Sequence, residues 1–455
     1  MKLRNTFIVL FLLLSLTSVS PITGNFLTVR PQAGDNYAYL QAIIRTAITK
    51  KIKTIIFRKG DYPISKPLLI EDNGKFVSLN LIGEDAAHFN LEESEARIIC
   101  NFTEGFAIGY QLARSSMIKG LVIYGQGRGK DTRFDVYAGI SIDPYYRGNT
   151  SGSSGILIQQ CRIRNFTVGI IISQNGVTLN GENIHVEKVA IDHVKAAYVS
   201  CQRQSKQNTV RDLICWDNIE TVFEGKEYGQ GLGVMPYIDG ANIASYTVGK
   251  IFNYGPQLST TSAQKIFAET ITQVGNIDDG GVGVTIRDSY FDFAFFKFPS
   301  DYHFKGNRIK FENCAFRYYD DQNNKRIVIA GIGNDFFNCY FDLPPLMQAA
   351  AEDELGRTNY YFNIGVVPSS KMRVVAHSEI ETWQWLLNQT LDVEKKTVTL
   401  DRDVVTKRGD YLVTHQPFRV VGRIVSQEGR TLYIDDIPSD IGSGWFGMGI
   451  NGFKQ

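Results

Sequence analysis

The sequence has almost no charge of one sign to spare: 48 Lys and Arg face 47 Asp and Glu across 455 residues, a formal net charge of +1. A chain this balanced has no general pull on nucleic acid, so recognition has to be local. Histidine and cysteine are scarce, at 6 each, and no Cys/His metal spacing, phosphate loop, nucleophile elbow or basic repeat occurs. Nucleotide enzymes, serine hydrolases and nucleic-acid binders therefore fall away. Alanine-rich helical runs are few and no apolar run of about 18 residues follows the first segment, which excludes all-α and membrane-spanning bundles. What remains is glycine-rich (42, against 13 prolines), 12% aromatic and 43% hydrophobic, the profile of a turn-rich β protein. Its length suits two or three domains or one elongated architecture.

Residues 1–24 read as an export signal, with Lys2 and Arg4 before an apolar stretch from Phe7 to Leu16 and a small, polar region from Thr17 to Gly24. The expected location is secreted or periplasmic, with no membrane insertion, and loss of Lys2 and Arg4 takes the charge from +1 to −1. Export permits disulfides, yet Cys161, Cys314 and Cys339 occupy one place in a recurring phrase where a small buried hydrophobe is expected. The six cysteines are therefore expected to be reduced core residues.

That phrase sets the fold. Gln160-Cys161-Arg162-Ile163, Asn313-Cys314-Ala315-Phe316 and Asn338-Cys339-Tyr340-Phe341 define an anchor, with equivalents at Val189, Leu213, Thr270 and Ser289. The spacings of 28, 24, 57, 19, 25 and 25 give a repeat near 25, with one coil hidden around Thr247. Inside each unit the alternation has period two, as in Ile156-Leu157-Ile158 and Val284-Thr285-Ile286. Short strands repeating with no helices between them stack as a β-solenoid. Long insertions at Asp143–Gly155, Gly225–Gly240, Asn253–Ala263, Asn276–Gly283, Pro299–Asn307 and Leu343–Asn359 are expected to share one rim. An amphipathic helix over Asn36–Lys50 caps the open first coil.

The helix, the strand Thr54–Phe57, the turn Gly60-Asp61-Tyr62, Ile64-Ser65-Lys66-Pro67-Leu68 and Leu81-Ile82-Gly83-Glu84 together resemble the opening of the pectate-lyase-like superfamily. The resemblance implies an all-β chain folded as a right-handed parallel β-helix over residues 25–370. It extends in motif over about 60 residues and in architecture to about residue 365. Residues 371–455 lose the phrase, carry a short helix at Glu379–Asn388 and then alternate as strands, a small C-terminal β module or cap. The superfamily includes lyases, hydrolases, esterases, isomerases and phage tailspikes, so it points to a polysaccharide or glycan partner without choosing a reaction.

Candidate residues follow from the coil geometry. Three places after each anchor stand Arg164, Asp192, Trp216, Gln273, Asp292, Arg317 and Asp342, a ladder of acids, arginines and one Trp suited to a sugar groove. Asp278-Asp279 is the best acid pair, able to serve glycoside hydrolysis or to bind Ca²⁺, although no cofactor is required. It stands where polygalacturonase-type hydrolases have an Asp pair, with Arg308-Ile309-Lys310 for their Arg-Ile-Lys; the Asn-Thr-Asp and Gly-His-Gly motifs are absent. Ala190-Ile191-Asp192-His193 resembles the Trp-Ile-Asp-His of pectate lyases without its Trp or the Arg-x-Pro-x-x-Arg that should follow. For elimination a base and a cationic clamp are needed; His303 and Tyr228 are among the bases, Arg317 and Arg308 among the clamps. The expected catalytic set is Asp278, Asp279, His303, Asp292 and Glu227. The expected substrate-binding set is Arg317, Trp216, Tyr228, Asp192, His193 and Arg308. The expectation is a polysaccharide lyase or glycoside hydrolase, with a non-catalytic glycan-binding or tailspike-like structural solenoid as the alternative.

Overall fold

The computed structural model describes residues 25–84, 95–132, 135–145, 151–175, 180–201, 207–226, 233–244, 249–257, 259–271, 273–278, 280, 282–293, 302–318, 327–330, 334–341, 346–347, 360–362, 365–366, 384–386, 390–400, 403, 411–415, 418–435, 437 and 446–448. The chain divides into two compact units, residues 1–244 and 245–455.

In the first unit the strands stack in three parallel columns. The first runs through Phe26–Val29, Thr54–Phe57, Asn80–Gly83, Arg114–Lys119, Ser151–Gln159, Asn180–Glu187, Thr209–Cys215 and Tyr237–Ala244. A second stacks Gly60–Ile64, Ala96–Cys100, Leu121–Tyr124 and the opening residues of Arg162–Ile172 and Ala190–Ser200. The third stacks Leu68–Ile70, Phe106–Tyr110, Ala138–Ile142, the closing residues of those two long strands, and Thr221–Gly225. Every pairing within these columns is parallel, so this is the parallel β-helix that the repeat predicts.

Register explains the core. Ile98, Ile123, Ile163, Ile191 and Cys215 lie on one another coil after coil, and all five are fully buried. Each such apolar side chain contributes about 1.5–3 kcal/mol through burial. A one-residue slip would turn the whole set outward, so the alternation holds the register.

The recurring phrase is a corner. The chain enters the left-handed region at Gly120 (φ 66°), Gln160 (53°), Lys188 (52°) and Asp212 (49°) in the first unit, and at Lys265 (55°), Asp288 (50°), Asn313 (53°) and Asn338 (50°) in the second. The N–H groups of Gly120, Gln160 and Lys188 each donate to a carbonyl of the next coil, at 3.1, 3.0 and 2.9 Å. Asn313 Nδ2 also donates to Asp288 Oδ1 at 3.0 Å, a side-chain rung between coils. Short polar side chains tolerate this conformation, and the small anchor that follows turns inward. The sequence missed two members: Leu121, behind Gly120, and Ile266, behind Lys265, which is the true anchor in place of Thr270. Gln273 consequently leaves the ladder and joins a different column.

The second unit also has three parallel columns. One contains Lys250–Pro256, Gln273–Asp278, Tyr302–Asn307, Ile327–Ala330 and Leu346–Met347. The next contains the start of Thr261–Ile271, then Val284–Arg287, Ile309–Glu312, Asp335–Phe337 and Tyr360–Phe362. The last contains the end of Thr261–Ile271, then Tyr290–Phe293, Ala315–Tyr318, Tyr340–Phe341 and Gly365–Val366. Its core is aromatic, with Phe311 and Phe336 stacked at 4.9 Å and 6°. Beyond it an antiparallel sheet of seven strands spans Gln384–Leu386 to Phe446–Met448. The expected helix at Glu379–Asn388 is not found in its described part: Gln384–Leu386 is a strand paired with Phe446–Met448.

Other expectations resolve locally. The capping helix α1 forms over Tyr37–Thr49 and buries Leu40, Ile43, Ile44 and Ala47. All six cysteines are free and buried, and burial pushes the Cys161 thiol up to about 12. Asp143–Gly155 and Gly225–Gly240 both join third-column to first-column strands. Pro299–Asn307 does not behave as a rim loop, because Tyr302–Asn307 is a strand. Among the described residues no helix is long and apolar enough to cross a membrane.

Candidate functional site

The predicted ladder assembles in part. Tyr124, Arg164 and Asp192 lie in register on neighbouring strands, and Trp216 follows Cys215, the partner of Ile191. Asp192 is only 2% exposed. Its Oδ1 lies 3.1 Å from Arg164 Nε and 2.8 Å from His193 Nδ1, and its Oδ2 lies 3.6 Å from Arg162 Nη2. Arg162 and Arg164 stand 5.7 and 5.8 Å from the ring centres of Trp216 and Tyr124, within cation–π range. Asp192 thus acts as a buried counter-charge for two arginines. His193 has φ 53° at a corner where Asn165 (63°) and Asn218 (58°) do the same, which accounts for it as a turn residue.

The expected catalytic residues are spread out. Asp278 and His303 belong to adjacent strands, but Asp278 pairs with Asn307, four residues beyond His303. At about 3.3 Å per residue that offset is about 13 Å, too long for an acid to reach a base directly. Asp278 Oδ1 accepts from Gly280 N at 3.0 Å, a turn contact. Asp292 pairs with Arg317 in another column. Arg308 is a corner residue at φ 62°. Glu227, Tyr228, Asp279 and the side chains of His303 and Arg317 lie outside what the structure describes.

The first unit holds instead a groove of about 1070 Å³ beside α1. Gln41 fixes one wall, since its amide accepts from Leu69 N at 3.0 Å and donates to Leu69 O at 2.8 Å. Asp35 accepts from Ser65 N and Oγ at 2.9 and 2.6 Å and ties the helix entrance to the following turn. From α1 the side chains of Tyr37, Arg45 and Ile48 line the space. The floor is Leu69 and Phe106, with Gln174, 2% exposed, accepting from Ser141 Oγ at 2.6 Å. Opposite stand Phe102 and Tyr145, the latter 5.8 Å from the Phe106 ring centre and 40% exposed. Sugar rings bind flat aromatic faces with amides and carboxylates around them, and this lining offers that combination.

The far wall comes from an insertion. Between Leu121–Tyr124 and Ala138–Ile142 the chain runs out as a strap whose residues Asp131–Thr132 pair antiparallel with Asp135–Val136. Gly125 begins it where a Cβ would stand 2.0 Å from Asn165 O, so a larger residue is excluded. Lys130 Nζ lies 2.6 Å from Asp135 Oδ2 and 3.4 Å from Glu104 Oε2, which places those two oxygens within about 6 Å of each other. Gly105 N also donates to Asp135 Oδ1 at 3.1 Å. The hydrogen bond to Asp135 chiefly, and then the one to Glu104, raise the Lys130 ammonium above its usual value.

The strap is pinned by Arg128 on Glu220 and by Asp131 on Lys195 and Lys226, the last at 3.1 Å. Burial pushes the Asp131 carboxyl up, but the two ammoniums outweigh it and hold it below the usual carboxylate range. A depressed folded-state value means stability that is present above the unfolded value near 4 and lost as pH falls through the folded one. Thermal midpoints of wild type and Asp131→Asn are therefore expected to differ at neutral pH and converge below about pH 4. A gap that persists unchanged in acid would show that the clamp is not the origin.

Sequence reasoning missed this groove, although the distance from Leu121 to Cys161, 40 residues against a repeat near 25, signals the insertion. Among the described residues no group of three or more His, Cys, Asp and Glu side chains is placed to hold a metal ion.

No family model and no curated protein matches the chain. Among solved structures it is similar to the catalytic domain of a GH87 α-1,3-glucanase in complex with nigerose, at 12% identity and TM-score 0.46, covering 75% of this chain and 64% of that one. It is similar to an N-terminal fragment of bacteriophage phi29 gene product 12, at 11% identity and TM-score 0.49, covering 74% and 64%. It is also similar to a mannuronan C-5 epimerase A-module from Azotobacter vinelandii, at 12% identity and TM-score 0.39, covering 74% and 93%. The chain thus spans about two thirds of the length of the first two, and the functional reading rests on the groove itself.

Proposed function

We propose that the chain is an exported, polysaccharide-active β-helix protein whose groove beside α1 holds the glycan, and that it acts as a glycoside hydrolase. The observation that carries this is the Glu104–Asp135 pair on the wall of an aromatic-lined groove. Two carboxyls about 5 to 5.5 Å apart suit the retaining mechanism, in which one attacks the anomeric carbon and the other serves as acid and then base. Asp135, held by Gly105 N–H and Lys130, is the oriented nucleophile. Glu104, with one longer contact to Lys130, is the acid and base.

A second reading is favoured by one contact: Lys130 engages both carboxylates, as it would in a groove that binds a glycan without cleaving it. A depolymerisation screen of the mature protein separates the readings. Reducing ends without a new ultraviolet absorbance mean hydrolysis, and both signals together mean elimination and remove the pair. Binding without either signal leaves the non-catalytic reading.

The proposed chemistry needs no resident metal, since both roles are filled by carboxyls. Activity should survive exhaustive dialysis against EDTA. A loss restored by Ca²⁺ would instead give calcium a place in the reaction.

A further inference from the structure

We infer that the groove takes an electrically neutral glycan and rejects polyuronates and other anionic polysaccharides. This inference rests on the groove being the glycan site. The lining contributes four carboxylates, Glu71, Asp72, Glu104 and Asp135, against the cations Arg45 and Lys66. Lys130, bound to Glu104 and Asp135, adds a third cation and leaves the wall at a net charge of −1. Lys66 contributes little outward charge: its ammonium lies 5.9 Å from the Tyr37 ring centre and interacts with the Asp35 carboxylate.

A polyuronate would place one carboxylate per ring into this field. Each would meet like charge within a Debye length, about 8 Å at physiological ionic strength, with Arg45 on α1 as the one arginine among the lining residues to receive it. Two further arginines of this unit, Arg162 and Arg164, are held by Asp192 on second-column strands and do not line the groove, so Arg45 stands there against four carboxylates. Neutral sugars offer what the lining lacks. Their hydroxyls donate to carboxylates, and their apolar faces cover rings such as Tyr145.

The test is affinity electrophoresis and calorimetry of the full mature chain with neutral glucans and galactans, and with polygalacturonate and alginate, at low and physiological salt. The expected result is binding to a neutral polymer that Tyr145→Ala weakens at least tenfold, with acidic polymers weaker still at low salt. The double variant Asp72→Lys/Glu104→Lys, checked for an unchanged melting profile, should gain polygalacturonate binding that fades as salt rises. If polygalacturonate binds wild type more tightly than every neutral polymer and Tyr145→Ala abolishes it, the glycan groove stands and the neutral class is overturned. If no polymer binds, or if Tyr145→Ala changes nothing, the groove reading itself falls and the inference with it.

Discussion

Glu104→Gln and Asp135→Asn are each expected to lower turnover of a neutral polysaccharide by on the order of a hundred- to ten-thousandfold, with affinity for the same polymer little changed. Both substitutions keep the shape of the wall and its contact to Lys130 while removing the charge or the proton that bond cleavage needs. The measurements are initial rates of reducing-end release and the anomeric configuration of the first product. Retention is the expected outcome, since oxygens within about 6 Å of each other lie below the separation of about 6.5 to 9.5 Å between the carboxyls of inverting enzymes. Unchanged rates in both variants, or an inverted product, would remove the pair from catalysis.

Asp192→Ala is expected to cost about 3 to 5 kcal/mol of stability, since removing one partner leaves uncompensated charge in a poorly solvated place. The carboxylate is almost fully buried, and it neutralises Arg162 and Arg164 while accepting from His193. Urea unfolding followed by tryptophan fluorescence reads the loss, with Trp216 beside Arg162 as a reporter. A cost below about 1 kcal/mol would mean that water already screens the cluster. Asp192 entered as a substrate-binding candidate; its burial gives it a positioning role toward the arginines.

The coil repeat was legible because each coil needs the same two things at the same corner: a residue that accepts the left-handed region and a small inward neighbour. Asn313-Cys314 and Asn338-Cys339 show both features openly. Lys265-Ile266 does not, because Lys is not a characteristic left-handed residue, and the coil was placed four residues late, at Thr270. Period-two alternation could not correct the error. The buried residues of Thr261–Ile271 are Ala263, Ile266, Ala268 and Ile271, spaced three, two and three apart, so no single period runs through the corner at Lys265.

The outward ladder was legible only where register is local. Arg164, Asp192 and Trp216 meet because their coils follow one another, whereas Asp278 and His303 share neighbouring strands at an offset that loop composition does not reveal. Asp292 and Arg317 do fall in register, one coil apart.

By itself the sequence determined the parallel coil, the capping helix and the reduced buried cysteines, because each follows from alternation, corner chemistry or residue size within about one repeat. Only the tertiary structure decided the groove. Its walls come from α1, from the turns around Asp72 and Phe102, from the strap bearing Asp135 and from Gln174, segments that no period links. They meet because an insertion folds back across the coils and is clamped there by Lys195 and Lys226, and the charge balance of the site exists only after that long-range closure.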